Sequence, residues 1–103
     1  MIVAFSISPA GGDASGSVSA AVAAAVRVVR ESGLPHETTS MFTSVEGEWD
    51  EVMEVVGRAT AEAGRYGSRV SLVLKADIRP GRTGELDGKV QRMESAVDRL
   101  DSR

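Results

Sequence analysis

The chain contains no cysteine, which excludes disulfides, thiolate nucleophiles and cysteine-ligated metals. Its one histidine, His36, has no second imidazole or thiol to share a transition metal with. Aromatics are scarce: Trp49, Tyr66, Phe5 and Phe42 are the full set. No apolar run approaches the length that spans a bilayer. The N-terminus has no basic segment ahead of an apolar one, so no secretory signal is expected. Positive charge is also short, with 12 Lys and Arg against 15 Asp and Glu, a net charge of −3 and a pI near 5.1. A nucleic-acid surface needs a concentrated positive field, so that class of partner is disfavoured. The expectation is a soluble, cytoplasmic protein with no membrane and no nucleic-acid partner.

What is present fits one small domain over residues 1–103. Apolar residues make up 42% and charged residues 26%, ordinary values for a globular chain. Met1–Ser8 alternates, with Val3, Phe5 and Ile7 on one face and Ile2, Ala4, Ser6 and Ser8 on the other. That period predicts a strand ending at Pro9. Pro9–Gly16 reads as a loop, without the spacing of a phosphate-binding loop. Ser17 is a candidate N-cap for a helix over Val18–Ser32, with Val18, Val22, Ala25 and Val29 at helical spacing. Gly33 and Pro35 end it.

His36–Glu46 is rich in β-formers and long for one strand, which predicts a hairpin turning near Met41 and Phe42, although no Gly or Asn sits there. A second helix is expected over Glu48–Arg65. Its stripe is Trp49, Val52, Met53, Val56, Ala59 and Ala63, which assigns Trp49 to the core before a binding role. Gly57 interrupts it at a cost of about 1 kcal/mol against Ala unless something packs closely there. Arg69–Arg79 alternates as a strand, with Val70, Leu72, Leu74, Ala76 and Ile78 on its apolar face. A last helix over Glu85–Leu100 carries a narrow stripe, Leu86, Val90, Met93, Val97 and Leu100, suited to packing on a neighbour.

The order β-α-β-β-α-β-α predicts an α+β fold, a ferredoxin-like split βαβ sandwich (βαββαβ plus a C-terminal helix) with helices on one face of an antiparallel sheet. The other face would carry Ile2, Ala4, Ser6, Ser8, Ser71, Val73 and Lys75. It is too apolar to stand bare, so a second subunit is expected to cover it. Small hydroxyls and a lysine within such an interface suggest a pocket. Near the centre of the chain, Ser40–Glu51 gathers Trp49 and the acids Glu46, Glu48 and Asp50 around Gly47. Glu48 and Asp50 suit a helix N-terminus. Glu46 precedes the helix, on a strand that should be partly covered. An unpaired buried carboxylate is costly, so Glu46 should have a partner even without ligand.

These segments resemble a known family. Pro9-Ala10-Gly11 is similar to its P-x-G turn. Ser40–Glu48 followed by Asp50-Glu51-Val52 is similar to its central PMGTxxEGexdeV segment. Arg69-Val70, Lys75–Arg79, Lys89-Val90 and Glu94 are similar to its closing RV…KIDDR…KV…E. The family is that of the small thiamine-binding proteins. The chain departs from it at Phe42, where the family has a turn glycine, at Ile78, where it has a second acid, and at Ala20 or Ala21, where an aromatic is usual.

The resemblance implies a homo-oligomer, a tetramer built as a pair of dimers. It also implies non-catalytic binding of thiamine or its hydroxymethylpyrimidine half, with no cofactor. An aminopyrimidine offers an amino donor and ring-nitrogen acceptors. Glu46 could accept from the amino group, with Thr43, Ser40, Ser6 or Ser8 completing the set. Met41, Phe42 or Trp49 could wall the thiazolium. Ser19 in the first helix and Lys75 on the open face complete the candidate set. Two other classes stay open: a regulatory or structural module of this fold binding another metabolite, and a cofactor-free dimeric oxygenase. The enzyme is disfavoured because no nucleophile–base pair can be assembled around His36.

Overall fold

The structure is a computed structural model that describes residues 1–10 and 18–102. The loop expected after Ala10 and the Ser17 cap lie outside the described residues. Four strands form one antiparallel sheet: β1 (Ile2–Ala10), β2 (His36–Thr38), β3 (Thr43–Glu46) and β4 (Arg69–Asp77), in the order β2-β3-β1-β4. The helices are α1 (Val18–Glu31), α2 (Trp49–Ala63) and α3 (Glu85–Asp101), with a short 3₁₀ turn at Gly64–Tyr66. Element order and sheet topology match the ferredoxin-like sandwich expected from the sequence.

The core lies between α1, α2 and one sheet face. The sheet contributes Val3, Phe5, Ile7 and Val45; α1 contributes Ala21, Ala25, Val28 and Val29; α2 contributes Val52, Val55, Val56, Ala59 and Ala63. Burying one branched aliphatic side chain contributes roughly 1.5–3 kcal/mol, so these valines are the main favourable term. The alanines bring the helix backbones close to each other and to the sheet.

Ala25 and Val29 on α1 and Val52, Val56, Ala59 and Ala63 on α2 are buried as expected, but each stripe departs from the expected one at one edge. On α1 the buried line runs through Ala21 and Val28, and Val22 is turned outward. On α2 it runs through Val55, which leaves Trp49 on its shoulder at the first helical residue, 56% exposed. Trp49 is therefore not a core residue of this chain. A helix position about 60° off the centre of its buried face leaves the core soonest at a helix end, where no preceding turn covers it. Pro9 does not end β1, which continues to Ala10. β4 is an edge strand with Leu72 exposed, and Ile78, also exposed, lies beyond its end.

The hairpin turns where expected, at residues 39–42, without glycine. Thr39 builds it. Its amide donates to Phe42 O at 2.8 Å, and its hydroxyl oxygen accepts from Phe42 N at 3.2 Å and Met41 N at 3.4 Å. The side chain does locally what a left-handed glycine does elsewhere. Phe42 can thus stand where the family has glycine, and no non-glycine residue has positive φ among the described residues.

Two glycines are opposites. A Cβ on Gly57, exposed in mid-α2, would meet nothing within 4 Å. A Cβ on Gly67 would lie 2.8 Å from the backbone oxygen of Ala10, which has no side-chain freedom to yield. Gly57→Ala should therefore stabilise by about 0.5–1 kcal/mol. Gly67→Ala should destabilise by about 1–3 kcal/mol. Thermal melts of the two variants, moving in opposite directions, check both assignments.

Candidate functional site

The strand register decides which side chains meet. β1 pairs with β4 along its whole length, from Ile2↔Asp77 to Ala10↔Arg69. With β3 it pairs only from Ile2↔Glu46 to Phe5↔Thr43. Beyond Phe5, no strand among the described residues lies on the β3 side of β1. The hairpin tip leans over that gap, and α1 closes it from the helix side. The result is a cavity of about 250 Å³ lined by Phe5–Ser8, Val22, Ala25, Val26 and residues 38–43.

Five of the expected site residues meet here: Ser6, Ser8, Ser40, Met41 and Thr43. The walls are apolar, supplied by Phe5, Ile7, Val22, Val26, Met41 and Phe42, with serine and threonine hydroxyls set among them. Among the described residues, none that lines the cavity carries a charge. Such a site can hold a flat, neutral, hydrogen-bonding ring. The sequence pattern assigns Val22 to the core stripe and does not single out Val26; both stand at the edge of the buried face of α1, where they line the cavity.

The other four candidates lie apart from this lining. Ser19 and Lys75 are exposed on α1 and β4, and Trp49 stands at the start of α2. Glu46 is buried at the far end of β3, three residues from Thr43, which is about 10 Å of extended chain. It cannot share a small ligand with the Thr43 end. Its carboxylate has partners of its own. One oxygen accepts from Glu85 N at 2.7 Å and the other from Leu86 N at 3.2 Å. Glu46 thereby satisfies two amides that the first turn of α3 leaves without helical partners. The negative charge also suits that end of the helix dipole.

Ion pairs complete the anchor. The register puts Glu46 and Asp77 opposite Ile2, on the sheet face away from α1 and α2. Asp77 there binds Lys89 of α3. Within α3, Arg92 donates to Glu85 at 2.6 Å, and Arg82 stands 3.7 Å from the same carboxylate. The hydrogen bond from Arg92 holds the Glu85 carboxyl below its ordinary range, and that from Lys89 does the same for Asp77.

A second, larger cavity of about 600 Å³ lies between the starts of α2 and α3, lined by Glu46, Glu48, Glu51, Arg82, Asp87, His36 and their neighbours. Its carboxylates are partly committed: Glu51 accepts from Glu48 N at 3.0 Å to close the first turn of α2, as Glu46 does for α3. His36 binds the Leu34 carbonyl through Nδ1 at 2.8 Å, so that nitrogen carries the proton. Among the described residues, no group of three or more His, Asp or Glu is placed to hold a metal ion.

A four-stranded antiparallel sheet of this order, two helices across one face and an uncharged cavity at a strand end define a small ferredoxin-like α+β protein with a ligand-sized site. The chain belongs to the thiamine-binding protein family, whose model matches residues 3–94. It is 47% identical over 96 residues to the UPF0045 protein Mb1933 of Mycobacterium bovis, covering 91% of both chains. Among solved structures it is similar to the hypothetical protein MJ1052 of Methanocaldococcus jannascii, with a TM-score of 0.79 and 30% identity, covering 90% of this chain and 94% of that one. It is also similar to TM0486 of Thermotoga maritima, a candidate thiamine biosynthesis/salvage protein, with a TM-score of 0.73 and 27% identity over 89% of this chain and 96% of that one.

The anchor of α3 gives two expectations. Glu46→Ala should destabilise by about 2–3 kcal/mol, because two charge-assisted bonds are lost. Glu46→Gln should cost about 1 kcal/mol, and neither change should alter binding in the Thr43 cavity by more than about twofold. Denaturant titration and calorimetry measure the two effects separately. The pH response follows from Glu85 and Asp77, whose carboxyls are held down in the folded state. Their contribution is complete above the ordinary values of 4.5 and 3.8 and is lost as pH falls below them. The protection factors of the amides in the first turn of α3, exchange rates corrected for their intrinsic pH dependence, should be unchanged from pH 7 to about 5 and should fall as the pH drops below about 4.

Proposed function

We infer that this protein binds thiamine or its hydroxymethylpyrimidine half without catalysis, as a cytoplasmic carrier or sensor, and needs no cofactor. The observation that carries the reading is the uncharged cavity at the end of the β1–β3 ladder. Membership of the thiamine-binding family supports it, as does the convergence of Ser6, Ser8, Ser40, Met41 and Thr43 on one volume. The pyrimidine is neutral, flat and rich in hydrogen-bonding atoms, which suits apolar walls studded with hydroxyls. The thiazolium is a cation. With no carboxylate among the described lining residues, it belongs at the mouth, against the exposed Met41 and Phe42, where water keeps it solvated. Glu46 is released from the ligand role and assigned to the α3 anchor. Among the described residues, the lining side chains offer no acid, base or nucleophile beyond simple hydroxyls, which favours binding over chemistry.

The protein works as a homo-oligomer, a tetramer built as a pair of dimers. Support comes from the apolar surface the single chain leaves bare. Val73 on the open sheet face is 54% exposed, and on α3 Met93 and Leu100 are 50% and 66% exposed. Burying such a stripe is favourable at roughly 25 cal/mol per Å².

Thiamine at about 100 times its dissociation constant should add about 2.7 kcal/mol to stability. That is a rise in melting temperature on the order of 10 °C. Ser40→Ala with Thr43→Val should remove most of the rise while leaving the ligand-free melt nearly in place. An absent shift with both thiamine and the free pyrimidine at millimolar concentration would refute the reading. Sedimentation should give a species several times the 10.8 kDa chain mass. Met93→Glu with Val97→Glu should shift it downward.

A further inference from the structure

The hydrogen bonds at the two ends of β3 fix the direction of every main-chain group on β1. Met1 N donates to Gly47 O at 3.1 Å and Gly47 N donates to Met1 O at 3.0 Å. Met1 and Gly47 are therefore a mutually bonded pair, and in an antiparallel ladder such pairs recur at every second residue. Val3 and Phe5 follow on β1, facing Val45 and Thr43. The β2 side of β3 agrees: Glu46 N donates to Pro35 O and Thr39 N to Phe42 O, so Glu46, Ser44 and Phe42 point away from β1. The next β1 residue aimed toward β3 is Ile7. Its partner position is Met41, but Met41 has left the ladder and sends its amide to Thr39 Oγ1 at 3.4 Å. Among the described residues nothing pairs with the Ile7 N–H and C=O on that side, and Ile7 lines the uncharged cavity. Pro9, next in the alternation, has no N–H to offer.

We propose that the Ile7 main chain is the recognition edge of the cavity, reading a heteroaromatic ring that carries an amino group beside a ring nitrogen. This rests on the ligand reading above and names the group that selects the ligand. In an extended strand the N–H and C=O of one residue lie side by side and point the same way. A ring nitrogen accepts from the N–H while the adjacent amino group donates to the C=O. The ligand takes up the hydrogen bonds that a further β3 residue would have made. Buried peptide groups left unpaired are costly, so the free edge favours an occupant that satisfies both. Specificity then comes from the backbone, and the Ser6 and Ser8 hydroxyls are auxiliary to it.

The test uses the full chain labelled with ¹⁵N, titrated with thiamine, with 4-amino-5-hydroxymethyl-2-methylpyrimidine and with the same pyrimidine lacking its amino group. The Ile7 amide should shift and gain exchange protection on saturation, while the Phe5 amide, already bonded within the ladder, should stay in place. The analogue without the amino group should bind about tenfold more weakly. A semisynthetic chain with an ester in place of the Ser6–Ile7 amide keeps the buried Ile7 side chain. It should lose about tenfold in affinity with an unchanged melt, because that N–H has no sheet partner. Binding with an unmoved Ile7 amide, or equal affinity for the analogue, overturns the inference and leaves the function standing. Failure of both thiamine and the free pyrimidine to bind removes the function and the inference together.

Discussion

The organising constraint is a mismatch of strand lengths. β1 is nine residues long and β3 is four, so the ladder between them stops halfway along β1. The stop is enforced by Thr39, whose hydroxyl gathers the amides of Met41 and Phe42 and turns the chain before a further rung can form. Everything of functional interest follows from that early turn. The unfilled half-lane beside β1 becomes the cavity, and the hairpin tip becomes its lip. Because α1 is built of small residues on its inner side, it lies close enough to form the third wall.

At the other end of β3 the same sheet carries a different load. Glu46 reaches across 39 residues of sequence to receive α3, and Asp77 holds Lys89 beside it. The two ends of a four-residue strand thus divide the work, ligand cavity at Thr43 and helix attachment at Glu46. The separation matters for reading mutants. A change at Glu46 acts first on the attachment of α3, and a change near Thr43 acts first on the cavity.

Much of this was legible in the sequence because the patterns involved are local. The alternation of Met1–Ser8, the hairpin within His36–Glu46 and the α3 stripe need only nearest-neighbour periodicity. Ser6 and Ser8 could be nominated because hydroxyls on a half-apolar face are a local signal, and Ser40 and Thr43 because they lie in the segment that carries the family resemblance. Three things were not local. The burial of Val28 and Val55 in place of Val22 and Trp49 depends on how each helix rolls on the sheet, which spacing fixes only to within a residue. The role of Glu46 depends on a helix that begins 39 residues later. The free edge at Ile7 depends on where β3 stops relative to β1, a register that no single segment encodes. A signal for it did exist: Thr39, the first residue of the turn, is a residue type that bonds the backbone ahead of it.

Pro9 adds a consequence of another kind. An unpaired strand edge is a template on which other chains can add, and proteins guard such edges against aggregation. On β1 the exposed lane beyond Phe5 would be a short invitation of that sort. Pro9 removes the donor that a second rung would need, and the hairpin tip stands across the approach. The lane is thus wide enough for a ring and too short for a strand. The early stop that leaves a cavity beside β1 is also guarded against strand addition along that edge.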